Sequence, residues 1–282
     1  MTLLSVKTIK QILFILVLFI SNTVFSQTKT IDSIIQKVNQ SNSSTEKLKQ
    51  LLALTEHHQS IQKDSLWKYV LLAKQLAVNK DKTTRGKAEI AYINALFRFD
   101  KIDTAFKIIE SELLKYKVSD EKDRSIYFRL AQLKSDYFMS VSNYKDAVSV
   151  IYNTISLAEK YRDTAVLASS YNALGEIAYN RDLIDEAKQW QYKALDITKQ
   201  QKQYFAPVAV ALINLGIIYN WTEQLDSSKY CAERSITICN SLENLYYLCN
   251  AYMVLANNYR HAKNYGEAER LMLQAIEVRK KT

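Results

Sequence analysis

The chain has 282 residues, 48% of them hydrophobic and 24% charged, with 4 Gly and 1 Pro. That balance is too apolar for a disordered protein and too poor in Gly and Pro for collagen, mucin or a turn-rich β-sandwich, while so few breakers permit long helices. A net charge of +9, from 38 bases against 29 acids, bears on solubility and on attraction to anionic surfaces without establishing nucleic-acid binding.

Residues 1–26 have the features of a signal peptide. Lys7 and Lys10 precede the apolar run Ile12–Ile20, and the polar stretch from Ser21 leads to a cleavage site after Ser26 that would leave Gln27 first. Nine apolar residues rise about 14 Å as a helix, well short of a hydrocarbon core about 30 Å thick, so cleavage is expected rather than anchoring. The mature chain is therefore expected to be periplasmic or envelope-associated, with no integral membrane segment. Residues 27–44 read as a polar leader or a loose first helix.

From 45 to 282 the pattern is helical and repetitive. A small residue recurs at Ala105, Ala147, Ala187, Ser228 and Ala268, and another at Gly175, Gly216 and Ala256, in steps of 40 to 42. A fixed period holding two helical patterns predicts stacked antiparallel helix pairs, each covering its neighbour's apolar face. Gly inside a helix costs about 1 kcal/mol relative to Ala, so Gly175 and Gly216 are expected where helices approach closely. The expected fold class is all-α, an α-solenoid of about six helical hairpins.

Leu174-Gly175, Leu215-Gly216-Tyr219 and Leu255-Ala256-Tyr259, with Ala187-Ala194 and Ala268-Met272-Ala275, carry a resemblance to the tetratricopeptide repeat family. The family period is about 34, so the repeats here are long. The resemblance implies a right-handed superhelix and a scaffold that binds a protein or peptide partner without chemistry of its own. It also implies a concave surface formed by first-helix positions: Ser169, Asn172, Glu176, Tyr179 and Asn180; Val210, Ile213, Ile217, Asn220 and Trp221; and Asn250, Met253, Asn257, Arg260 and His261. The middle set is apolar and its flanks polar, as a peptide groove requires. The basic-plus-Asn clamp for a carboxyl-terminal tail is not reproduced, since Lys87 and Asn94 are followed by Gln132 and Asp136. Long repeats behind a signal ending Phe25-Ser26-Gln27 also resemble the exported input regions of Bacteroidota regulators, whose membrane helix and output module this sequence lacks.

No catalytic, metal or cofactor constellation stands out. His57-His58 has no partner at helical ligand spacing, and no Walker, G-x-S-x-G or dinucleotide loop is present. Cys231, Cys239 and Cys249 read first as small buried hydrophobes, although Cys239 and Cys249 flank a turn and could pair in an oxidising compartment. The expected function is an exported, non-catalytic binding scaffold; the alternative is the sensory input region of a membrane-linked regulator or histidine kinase. Nucleic acid is not an expected partner.

Overall fold

A computed structural model describes residues 31–199 and 206–280. The export segment lies outside the described residues. Helix α1 spans residues 31–40, and Ile31 and Val38 are buried in one cluster with Leu48, Leu51 and Leu54. Six antiparallel pairs follow. They are α2 (Ser44–Glu56) with α3 (Lys63–Ala77), α4 (Lys82–Arg98) with α5 (Ile102–Leu113), and α6 (Glu121–Ser140) with α7 (Tyr144–Tyr161). Then come α8 (Thr164–Asn180) with α9 (Ile184–Asp196), α10 (Ala206–Trp221) with α11 (Leu225–Ser241), and α12 (Leu245–His261) with α13 (Tyr265–Lys280). The fold is an all-α solenoid.

Each helix packs on the next, and the first helices of successive pairs also touch one another in series, from α2 to α12. The first helices therefore line the inside of the curve. The small positions explain the close approach. Ala105, Ala147, Ala187 and Ser228 are fully buried, whereas Ala268, in the final pair, is only half-buried. A Cβ on Gly216 would lie 2.7 Å from Val254 Cγ1, and one on Gly175 would run into the Gln191 carboxamide. The Ser228 hydroxyl donates to the Gly216 carbonyl at 2.9 Å, tying α10 to α11 where no side chain intervenes.

Five of the six hairpin turns share one conformation. Asp100, Ser142, Asp182, Glu223 and Lys263 all have φ between 57° and 60°, in the left-handed region, and each stands five residues before its small position. The following amide then reaches back to close the first helix, as Asn143 N to Phe138 O at 2.8 Å and Gln224 N to Tyr219 O at 2.9 Å. Several helix starts are capped by side chains: Asp81 accepts from Thr84 N, Asp163 from Val166 N and Asn244 from Tyr247 N. Among the described residues no helix is long and apolar enough to cross a membrane.

Candidate functional site: a chamber inside the solenoid

The inside of the curve encloses a chamber of about 880 Å³. Its wall comes from the first helices α4, α6, α8, α10 and α12, together with the turn that follows α2. That turn, His58–Ser60, touches both α4 and α12, so the first and last pairs meet across the opening. Arg98 of α4 holds it in place: its guanidinium donates to the carbonyls of His58 and of Ile61, the latter at 2.6 Å.

One stretch of wall is apolar. Val210, Ile213 and Ile217 from α10 and Met253 from α12 face the chamber, with Phe97 of α4 and Leu133 of α6 also on the wall. The rest is polar and charged. Arg129 and Asp136 come from α6, Glu176, Tyr179 and Asn180 from α8, and Tyr246, Tyr247, Asn250 and Asn257 from α12.

Arg129 lies within electrostatic reach of three repeats. Its charge acts on His58 after α2, on Asp136 along its own helix and on Tyr247 of α12. Its guanidinium donates to Asn94 Oδ1 and Gln132 Oε1, both at 3.4 Å. Asp136 is exposed to the chamber's space between the helices. Desolvation by the surrounding wall pushes its carboxyl up to about 6; Arg129 opposes the rise and Glu176 adds to it. Glu176 is raised by the same desolvation. His58 is lowered to about 4, first by burial and then by Arg129 and Arg98.

Of the residues expected on the concave surface, Glu176, Tyr179, Asn180, Val210, Ile213, Ile217, Asn250, Met253 and Asn257 lie on the chamber wall. Six others do not; Ser169 borders only a smaller adjoining recess and His261 is exposed beyond the wall. Asn172 borders only that same recess, and Asn220 neither; both are buried, with side-chain amides donating to the next first helix, at Pro207 O (2.7 Å) and Val254 O (2.9 Å). Trp221 is the last residue of α10 and is 69% exposed outside the chamber. Arg260 is exposed beyond the wall and reaches it only through a bond from Nε to Asn257 Oδ1 at 3.4 Å.

Of the charged wall residues, the sequence reading expected Glu176 on the concave surface and met Asp136, 40 residues earlier, only at the clamp position. Arg129, 40 residues before Ser169, escaped it, and carrying the full register one repeat upstream would have found it. No periodicity could have placed the His57–Ser60 turn against α12.

All three cysteines are free and buried. Burial pushes the Cys231 thiol up to about 11 and that of Cys239 to about 12, which leaves little thiolate for exchange or metal binding. Among the described residues no three His, Cys, Asp or Glu side chains are grouped to hold a metal.

Two family models match the sequence, both described as Tetratricopeptide repeat, over residues 207–281 and 167–200. Among solved structures, aspartyl phosphate phosphatase F from Bacillus subtilis is similar at 14% identity, covering 91% of this chain and 69% of that one, with a TM-score of 0.61. A Rap protein complexed with Competence and Sporulation Factor is 12% identical, covering 90% of this chain and 80% of that one, with a TM-score of 0.59. BtubC from P. vanneervenii is 17% identical, covering 77% and 89%, with a TM-score of 0.56. At such identities the likeness is one of fold. No curated protein matches the sequence.

Proposed function

The chain is a tetratricopeptide repeat protein, and from that premise we propose that it is a non-catalytic scaffold whose chamber holds a short peptide segment of a partner. The observation that carries this reading is the composition of the wall. Five successive first helices place one apolar stretch, from Val210 to Ile217 with Met253, beside amides, tyrosines and charges. Such a wall offers an anchor for an apolar side chain and polar groups that fix orientation. The volume lies within the roughly 300–1,000 Å³ of small-ligand sites, which suits a short segment better than a folded domain. Glu176, Tyr179, Asn180, Ile213, Ile217 and Asn257 are its proposed contacts.

The scaffold is proposed to act outside the cytoplasm, on the strength of the Lys7, Lys10 and Ile12–Ile20 pattern. One observation also favours the sensory reading. The His58–Ser60 turn rests on α12, so an occupant of the chamber bears on the contact between the first and last pairs. An input region needs such a link between occupancy and shape.

The test is retention of random hexapeptides by the purified protein, read by mass spectrometry against an Ile217→Glu variant of unchanged helical spectrum. Peptides retained by the parent and released by the variant are expected. Equal retention by both would remove the chamber from the account.

A further inference from the structure

The chamber's charge runs against that of the molecule. The whole chain carries +9, yet the chamber wall bears the carboxylates of Glu56, Asp136 and Glu176 against the single guanidinium of Arg129. Asp136 and Glu176 occupy equivalent positions on neighbouring first helices, 40 residues apart, and both border the smaller recess as well as the main chamber. In the same register, the two following repeats place Ile217 and Asn257. One row of the wall therefore runs from acid to acid, then to an apolar side chain, then to an amide.

The two acids lack partners of their own. Among the described residues neither carboxylate has a hydrogen bond or an ion pair, although eight ion pairs form elsewhere on the molecule. Both side chains are exposed to the space inside the curve, and Arg129 acts on Asp136 without a direct ion pair. Unpaired acids and an apolar stretch line the same chamber.

We infer that Asp136 and Glu176 form a cation subsite, which takes an ammonium or guanidinium group of a peptide whose apolar side chain rests on Ile213, Ile217 and Met253. The inference rests on the chamber reading proposed above and adds the ligand's charge. A bound cation supplies the direct ion-pair partner that both acids lack, and the concave wall strengthens the pairing. Neutral peptides would leave both acids unpaired, so discrimination comes from an uncompensated cost as much as from attraction.

The cation can come from a lysine or arginine side chain or from a free amino terminus. Fluorescence anisotropy with three labelled hexapeptide pools separates these sources. The first is acetyl-capped with lysine fixed at one position, the second has a free amino terminus and no internal base, and the third is capped with norleucine in place of lysine. One or both cationic pools should bind at least about tenfold tighter than the norleucine pool. In the isosteric double variant Asp136→Asn with Glu176→Gln, that preference should vanish while norleucine binding persists. Equal binding of all three pools to the parent would overturn the subsite and leave the chamber reading intact. Binding of none would overturn both. A preference that survives the double variant would place the recognition elsewhere.

Discussion

Gln191 occupies the space that a side chain at Gly175 would need. It is fully buried on α9 and donates through Nε2 to the carbonyl of Asn172 at 3.2 Å, one turn before that glycine. The glycine and the glutamine are thus a matched pair between α8 and α9. Gly216 is matched in the same way to Val254 and Ser228.

Glycine replacements should therefore differ by position. Gly216→Leu is expected to lose about 1–3 kcal/mol through overpacking. Gly266→Ala should be neutral or slightly stabilising, because a Cβ there meets nothing within 4 Å and Ala is the better helix former. Urea denaturation of both variants is the measurement. Equal stability losses would mean that contact is not what selects glycine.

The left-handed turns give a prediction of opposite sign. Glu223 has φ of 59° without being glycine, a conformation that costs an L-residue roughly 1–2 kcal/mol. Glu223→Gly should be neutral to about 1 kcal/mol stabilising, and Glu223→Val destabilising by more than about 1 kcal/mol. A more stable valine variant in thermal denaturation would contradict the turn geometry.

Asp136 makes stability depend on pH in a particular direction. Its carboxyl is pushed up from 3.8 to about 6 in the folded chain, so the folded state holds the proton more tightly than the unfolded one. Its contribution favours folding in acid and is lost as pH rises through about 6. Asp136→Asn stays neutral throughout. It should therefore exceed the parent in stability near pH 7.5, with the gap closing as pH falls toward about 4. His58 acts in the other direction. Lowered from 6.5 to about 4, it favours folding above its unfolded value and loses that contribution as pH falls toward 4. His58→Gln should reduce acid sensitivity in that window. A gap between parent and Asp136→Asn that ignores pH would contradict the desolvation of this carboxyl.

The architecture was legible because close packing leaves a periodic mark. Ala105 to Ala268 and Gly175 to Gly216 recur since each sits where helices meet, and spacing alone recovers the hairpins. The turns were less legible. Asp100, Ser142, Asp182, Glu223 and Lys263 share a backbone conformation but no side-chain chemistry, so scarcity of glycine hid five left-handed turns. Helical register placed Glu176, Ile213, Ile217 and Asn257 on what is the chamber wall. Asn172 and Asn220 lie off it, because their side-chain amides face the next repeat and donate to backbone carbonyls. Closure of the chamber by the His57–Ser60 turn depends on accumulated curvature over five repeats, which no local pattern encodes.

The export reading has its own check. Intact mass of the protein recovered from the cell envelope should correspond to a chain beginning at Gln27. A mass that includes Met1–Ser26 would favour an uncleaved anchor.

The central claim is that a peptide lies inside the solenoid rather than on its outside. Photo-crosslinking tests it most directly, with a benzophenone amino acid placed at Met253 on the chamber wall or at Leu273, which is 56% exposed on α13. The retained peptides should be captured from position 253 and scarcely from position 273. Capture from 273 that equals or exceeds capture from 253 would contradict an internal binding site.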